Sequence, residues 1–366
     1  MTKVYQNLLI AAGVVFALFL AWYFSDIVAY LLVSAVLALV GKPIVDFVGK
    51  LKIKNKKLPR WVCAAIGLTT IMFVFYLFFS FFIPLIASQA QALAKVDINE
   101  LADVLTVPFT HIEDFINGIF PNNNFSFEAF ISSKVTGIFD TSFLLDSFGS
   151  ITNFVVSMAI ALFAISFITF FFMKEENLFM DGVVILFPAR YDASIRHAWQ
   201  SSTKLLMRYF IGVFLDMLCV MIVLTIGLKF IAGLDFSTAI LLGLIAGILN
   251  VIPYIGPLIA AAISVVIALA ANINTIPWDS FYLIVIKIMS VFVGMKIIDD
   301  TVFQPYIFAN SIKAHPLEIF LLILIAGSFA GIGGMLIAIP AYTVLRVFAK
   351  EFLNKFRVVQ KLTQKI

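Results

Sequence analysis

The chain has 366 residues, of which 62% are apolar and 13% charged, and it carries a formal net charge of +4. Its mean hydropathy is +1.07. A soluble domain cannot hide so much apolar surface, so the composition predicts an all-α multi-pass integral membrane protein with the lipid bilayer around most of the chain. Cys63 and Cys219 both lie inside apolar runs, far from any second ligand at metal-binding spacing. Neither a disulfide framework nor a metal site is predicted.

About eight apolar segments are long enough, or nearly long enough, to span a bilayer. About 20 apolar residues are needed to cross the hydrocarbon core, so the two longest segments could each hold a hairpin. The first lacks a small-x-small cleavage site and leads directly into the second, so we interpret it as a transmembrane helix rather than a signal peptide. The segments cover residues 8–24, 27–40, 61–86, 151–173, 209–231, 236–271, 281–298 and 317–348.

Charged residues between the segments predict the orientation. Residues 42–60 form a basic loop with seven Lys or Arg and one Asp, which the positive-inside rule assigns to the cytoplasm. The C-terminal tail is also basic, and we expect both termini in the cytoplasm. Residues 87–150 contain eight acidic and two basic residues, and their helical apolar spacing predicts a small amphipathic helical insertion on the outer side.

The predicted organisation therefore has four parts. Residues 1–86 form the N-terminal transmembrane helices with their basic loop, and residues 87–150 form the extracytoplasmic insertion. Residues 151–348 form a transmembrane transport core with broken segments at 236–271 and 317–348. Residues 349–366 form the basic cytoplasmic tail.

The stretch "NVIPYIGPLIA" (250–260) interrupts the longest apolar run. Pro253 and Pro257 each remove a backbone donor, so they end one half-helix and begin another, and Gly256 is predicted to allow the reversal between them. In lipid, a helix is interrupted only where protein or a water-filled cavity satisfies the freed backbone groups. We therefore predict a hairpin with its tip at "PYIGP" that faces a solute. The alternative is a kink that serves close helix packing.

A second interruption, "AGSFAGIGGMLIAIP" (326–340), lies in the last apolar run. A shift of eighty positions places "LLGLIAG" (241–247) on "LLILIAG" (321–327), with six of seven residues identical. This match indicates two related units, each a helix followed by a broken segment. Their opposite orientation in the bilayer would give the inverted repeat common in secondary transporters. Gly331, Gly333 and Gly334 are the candidate gate of the second unit.

Asp216 and Lys296 are charged residues inside predicted helices. Asp216 is about two turns into its helix, where a charge is costly unless it meets protein, water or a cation. The shift of eighty positions sets it opposite Lys296. A charge pair or a protonatable carboxylate is one interpretation. The other is that Asp216 lies near the inner interface and Lys296 extends its charge to the headgroups.

Polar residues gather between 299 and 318, immediately before the second broken segment. Asp299, Gln304, Pro305, His315 and Glu318 could line its cytoplasmic mouth and hold an ion or a proton. The alternative is a plain connecting loop. Enzyme signatures are not found, because the sequence has no phosphate-binding glycine loop, nucleophile elbow or zinc motif. We expect no enzyme activity, no cofactor and no nucleic-acid partner.

The ordered motifs "IPYIGPLIAA" (252–261), "DDTVFQP" (299–305), "HPLEIFLLILIAG" (315–327) and "GIGGMLIAIP" (331–340) resemble the autoinducer-2 exporter family of bacterial multi-pass membrane proteins. The resemblance extends over nearly the whole chain. It implies secondary transport, with export of autoinducer-2 or antiport of sodium or protons, in a homo-oligomer of the bacterial cytoplasmic membrane. Many relatives carry an acidic residue where this chain has Asn250, a neutral ligand, which weakens the case for cation coupling there.

The resulting hypothesis is a secondary transporter that exports a small polar solute similar to autoinducer-2, or exchanges it for Na⁺ or H⁺. Pro253, Tyr254, Gly256 and Pro257 shape the first gate. Asn250, Asp216 and Gln304 are the predicted solute or ion contacts. The alternative hypothesis is a channel-like pore, or a membrane scaffold whose outer domain binds partners.

Overall fold

The computed structural model describes residues 12–353, except for 14, 17–18, 21, 54–55, 94–150, 176, 186–187, 273–280 and 309–314. The predicted outer insertion lies outside the described residues from position 94 onward. The end of the basic tail and the start of the first apolar segment also lie outside them.

The regular secondary structure of the described residues is helical apart from one short ribbon. A 3-10 turn occupies Ala189–Tyr191, a π-helical turn occupies Asp299–Phe303, and an antiparallel ribbon joins β1 (Lys52–Ile53) to β2 (Lys56–Lys57). The α-helices are α1 (Ser25–Lys50), α2 (Arg60–Leu93), α3 (Ile151–Lys174), α4 (Leu178–Ile185), α5 (Asp192–Phe230), α6 (Phe236–Leu249), α7 (Ile255–Asn272), α8 (Phe281–Ile298), α9 (Gln304–Phe308) and α10 (Pro316–Leu353).

Five stretches of the described helices are long and apolar enough to cross a membrane. Two further apolar stretches, Phe236–Leu249 in α6 and Ile255–Ala271 in α7, are shorter. The structure thus agrees with the predicted multi-pass helical class. The five stretches are Ser25–Lys50, Arg60–Gln89, Val156–Lys174, Ala189–Phe230 and Leu317–Phe352.

The basic loop is shorter than the predicted 42–60, because α1 continues to Lys50. The added turns bury Val45 and Val48 against Cys63 and Met173. That apolar contact favours the helix over an open loop. Only residues 51–59, including the β-ribbon, connect α1 to α2.

Helix α5 also begins earlier than predicted. The amphipathic stretch before residue 209 is continuous with the apolar segment, giving one helix of 39 residues. Its first turns bury Ile195 against Met180 and Val184 of α4, while Arg196 pairs with Asp181 at 2.9 Å. Residues 192–208 therefore belong to the same helix as the apolar segment that begins at 209.

The chain divides into two compact units. The first comprises Met1–Phe75 and Ser150–Thr203, and in it α1 packs along α3. Ser34 is fully buried there, and its hydroxyl donates to the carbonyl of Ile165 at 3.1 Å. A buried hydroxyl without a partner would be costly, so this bond fixes the facing surfaces of the two helices.

The second unit comprises Tyr76–Gly149 and Lys204–Ile366, and its core joins α5, α6, α7 and α8. Helices α5 and α6 approach closely because α6 presents glycines to α5. A Cβ atom at Gly247 would lie 2.7 Å from the Met217 carbonyl oxygen, and one at Gly243 would lie 2.7 Å from that of Met221. This small-residue contact brings the polar part of α5 beside the C-terminal end of α6.

Candidate functional site

The first predicted interruption is a break between α6 and α7. Helix α6 ends at Leu249, and α7 begins at Ile255. The backbone N–H groups of Val251 and Ile252 donate to Ile248 and Leu249, at 3.2 and 3.0 Å. The break thus keeps these donors satisfied through turns, as a non-helical segment in lipid requires.

The reversal at this break uses a different residue from the one predicted. Tyr254 takes the left-handed conformation, with φ at +67°, whereas Gly256 already lies in the first turn of α7. Gly256 is required for another reason: a Cβ atom there would collide with the carbonyl oxygen of Leu249. The expectation that Gly256 supplies the backbone freedom is therefore wrong, and its role is close approach of the chain.

Asp235 fixes the start of α6. Its carboxylate accepts a hydrogen bond from the Ser237 backbone N–H at 2.9 Å, which is an N-cap. That bond holds the pKa of the Asp235 carboxyl below its usual range. The first half-helix is thus anchored at one end by a cap and ends at the break.

The second interruption lies inside α10, where Ala330 and Gly331 leave the helical conformation. Gly331 has φ at +58°, which favours glycine. The Tyr342 hydroxyl donates to the Glu318 carboxylate at 3.0 Å. In a straight helix these residues would lie roughly 36 Å apart, so the break reverses the chain and α10 is a hairpin of two arms. The two breaks begin at positions 250 and 330, eighty residues apart.

Asp216 is buried, with 6% of its surface exposed. Its Oδ2 atom accepts a hydrogen bond from the Asn250 side-chain amide at 2.8 Å. Asn250 is the C-cap residue of α6, so the bond joins α5 to the first break. The asparagine at this position therefore acts as a donor to a carboxylate.

Asp299 is the second buried carboxylate, with 2% exposed, and it opens the π-helical turn that follows α8. Its Oδ2 accepts from Lys296 at 3.1 Å and from Gln304 at 2.8 Å. Lys296 also pairs with the half-exposed Asp300 at 2.7 Å. A π-helical turn widens the helix and is frequent at functional sites.

The two buried carboxylates are neighbours. The carboxyl group of Asp216 lies close enough to that of Asp299 for a direct side-chain interaction, and Lys296 acts on it through its charge. The Oδ1 atoms of both aspartates are buried, and they have no hydrogen-bond partner among the residues that the structure describes. We call Asp216, Asn250, Lys296, Asp299 and Gln304 the polar cluster. Within the second unit, it joins α5, the first break and the end of α8.

A small cavity borders the polar cluster. Its volume is about 20 Å³, and its walls come from α5, α6, α7, α8 and the π-helical turn. Asn250, Lys296 and Asp299 supply its polar wall, and Pro257 and Phe292 are among its apolar residues. A space of this size holds about one water molecule or one small ion.

The structure brings together some predicted site residues and separates others. The predicted pair of Asp216 with Lys296 does not form as a direct contact among the described residues, because Lys296 bonds Asp299 and Asp300 instead. Glu318 bonds Tyr342, and the imidazole of His315 accepts from the backbone of Leu317 at 3.2 Å. These bonds join neither residue to the polar cluster.

The remaining predicted residues lie at the breaks or beside the cluster. Pro253 precedes the left-handed Tyr254, and Pro305 follows Gln304 in α9. A Cβ atom at Gly334 would collide with the Ala326 carbonyl oxygen across the second hairpin, whereas Gly333 has open space. Among the described residues, no group of three or more His, Cys, Asp or Glu side chains is arranged to hold a metal ion.

Two features of the site were not predicted from the sequence. The contact between Asp216 and Asp299 joins residues 83 positions apart, and only the packing of α5 against its neighbours reveals it. The ring of Phe320 packs edge-on against Tyr254, with centroids 5.8 Å apart, and so joins the tip of the first break to the first arm of α10. A helical apolar position such as 320 carries no local signal of this role.

Comparisons with known proteins agree with this picture. Residues 11–354 match the family described as AI-2E family transporter. The chain is 28% identical over 353 residues to "Putative transport protein YueF" of Bacillus subtilis (strain 168), covering 94% of this chain and 88% of that protein. It is 30% identical over 191 residues to "Putative transport protein YrrI" of the same organism, covering 52% of this chain and 50% of that protein.

Proposed function

Because the chain belongs to the AI-2E family of membrane transporters, we propose that it is a secondary transporter that exports a small polar solute or exchanges it for a cation. The observation that carries the proposal is the polar cluster, in which two buried carboxylates lie beside a helix break among the apolar helices of the second unit. Buried ionisable groups in a membrane segment are costly and mark solute or ion pathways.

The lengths of the half-helices support a site at depth. Helix α6 has 14 residues and rises about 21 Å, which is less than the hydrocarbon core of about 30 Å. The break after α6 would therefore lie within the bilayer if Asp235 lies at its surface. Half-helix ends and freed carbonyls at such a break are the groups that secondary transporters use to hold a solute.

The two breaks are the gates in this proposal. Tyr254 at the first tip packs on Phe320 of α10, and Ile252 packs in one apolar cluster with Ile323 and Ala338 of the two α10 arms. Movement of one hairpin would therefore change the packing of the other. The two breaks begin eighty positions apart, and the two copies of the sequence "LLxLIAG" are separated by the same distance along the chain. This agreement supports an inverted repeat.

The remaining parts of the proposal concern the cell. We place the protein in a bacterial cytoplasmic membrane with both termini inside, because the basic residues of 42–60 and of the tail favour that orientation. Residues 87–150 would form the outer insertion, and residues 151–348 the transport core. The working unit is proposed to be a homo-oligomer, and the solute a small polar molecule similar to autoinducer-2.

Transport by reconstituted protein tests the proposal. Purified full-length protein in sealed vesicles is given autoinducer-2 under imposed sodium or proton gradients, and solute uptake is measured against protein-free vesicles. A transporter gives saturable, gradient-dependent movement and counterflow, because solute crosses only when bound between the gates. Non-saturable flux through an open pathway would indicate a channel-like pore, and no flux of any solute or ion would favour a scaffold.

A further inference from the structure

The charges of the polar cluster do not balance. Asp216 and Asp299 are both buried. Among the described residues, Lys296 bonds Asp299, and no cation bonds Asp216. Lys296 is itself shared with Asp300, to which its Nζ atom lies closer, at 2.7 Å against 3.1 Å. When both buried carboxylates are ionised, the interior of the cluster retains one uncompensated negative charge. Such a charge in a low-dielectric site requires a cation or a proton.

The cluster also has unused ligands for a cation. The Oδ1 atoms of Asp216 and Asp299 are buried, and no described residue forms a hydrogen bond with either of them. Asn250 and Gln304 each donate through the amide nitrogen to a carboxylate, which leaves their carbonyl oxygens as acceptors. Carboxylate and amide oxygens are the ligands that hard cations prefer. The cavity of about 20 Å³ beside Asp299 has room for an ion or for one water in its shell.

We propose that Asp216 and Asp299 bind one alkali cation of sodium size, and that Lys296 is a tethered cation that competes with it for Asp299. When sodium is bound, Lys296 pairs with Asp300, which is 53% exposed. When sodium leaves, the ammonium returns to Asp299 and limits the buried negative charge. The role of this exchange in coupling rests on the proposed transport function, whereas the binding itself does not require transport.

Sodium binding is measured on purified full-length protein at fixed pH. Thermal unfolding midpoints are recorded while sodium chloride replaces choline chloride at constant ionic strength. A ligand that binds the native state raises its stability in a saturable way. We expect a saturable rise of the midpoint with sodium and a smaller rise with potassium. Equal midpoints in sodium and choline would overturn the proposal, as would a response to pH alone without a sodium effect.

Three substitutions assign the site. Asp216→Asn and Asp299→Asn keep the side-chain size and should each abolish the sodium-dependent rise. The control, Asp235→Asn, makes the same chemical change at a helix cap outside the cluster, where asparagine also caps, and should keep the rise. A full sodium response in both cluster variants would contradict the assignment. The unfolding midpoints of the unmodified protein in sodium and in choline are compared first. This comparison tests sodium binding even if one of the variants fails to fold.

The competition by Lys296 has its own signature. Lys296→Gln removes the tethered positive charge and with it the Coulomb repulsion between that charge and a bound sodium ion. The half-saturating sodium concentration should therefore fall by about tenfold or more. Lys296→Arg retains the charge and should keep a value near that of the unmodified protein. An unchanged half-saturation in Lys296→Gln would overturn the competition. Sodium binding without solute movement in vesicles would refute the proposed function and leave this site intact, whereas solute transport by a protein whose unfolding midpoint does not respond to sodium would refute the site and leave the proposed function intact.

Discussion

Replacement of Tyr254 by glycine should leave the protein more stable than replacement by alanine. Tyr254 has φ at +67°, where a residue with a Cβ atom is disfavoured by about 1–2 kcal/mol and glycine is not. Both substitutions lose the ring contact with Phe320, worth about 0.5–1.5 kcal/mol, so that loss cancels in the comparison. The greater freedom of glycine in the unfolded chain removes about 0.5–1 kcal/mol of the gain. A net advantage of about 1 kcal/mol or somewhat less remains for glycine.

Tyr76 provides the matched control, because it is an exposed tyrosine in the interior of α2. At a helical position glycine should be less stable than alanine by about 0.5–1 kcal/mol, so the order of the two variants reverses. All four variants are compared by thermal unfolding in one detergent. If alanine is more stable than glycine at 254, as it should be at 76, then Tyr254 does not hold the left-handed turn and our description of the first break is wrong.

Three further predictions address the second break, the helix cap and the orientation. Gly334→Ala should destabilise the protein by roughly 1–3 kcal/mol, because the new methyl group collides with the backbone across the hairpin. The control, Gly333→Ala, should have little effect, because a methyl group there has open space. Equal unfolding midpoints of the two variants would contradict the hairpin packing. The Asp235 carboxyl has a lowered pKa in the folded state, so its contribution is present above the unfolded pKa and is lost as pH falls through the folded one. Asp235→Ala should therefore cost about 1 kcal/mol at neutral pH and less in acid, and an equal cost at both would refute the cap. In a protein without other cysteines, Asn123→Cys should react with an impermeant thiol reagent from outside intact cells and Asn55→Cys should not; the opposite pattern would reverse the orientation.

Much of the fold follows from the apolar pattern, because helices in lipid must satisfy their own backbone. The interruptions near 250 and 330 were predicted from proline and glycine, and both breaks lie within those stretches. The boundaries of α1 and α5 were not, since tertiary packing of Val45 and Ile195 extends each helix beyond its apolar run. Hydropathy does not register such contacts.

The candidate site was predictable only in part. The cost of a charge in lipid identified Asp216 as unusual, and the predicted repeat pointed to Lys296. The repeat offset could not reveal that Lys296 bonds residues on its own helix and the following turn, at i+3 and i+4. It also could not place Asp299 beside Asp216, because that contact depends on how α5 packs in the folded unit. The sequence identified Gly256 as a position that requires glycine, but the predicted reason was conformational freedom. In the structure the reason is that the Leu249 carbonyl oxygen leaves no room for a Cβ atom there.

The central claim is that the buried carboxylates couple solute movement to a cation. The most direct measurement compares unmodified protein with Asp216→Asn in the same vesicles, recording gradient-driven accumulation of the solute and solute exchange without a gradient. We predict that Asp216→Asn loses accumulation and retains exchange, because the solute pathway remains while the cation ligand is lost. Normal gradient-driven accumulation by Asp216→Asn, in protein of unchanged thermal stability, would contradict the account.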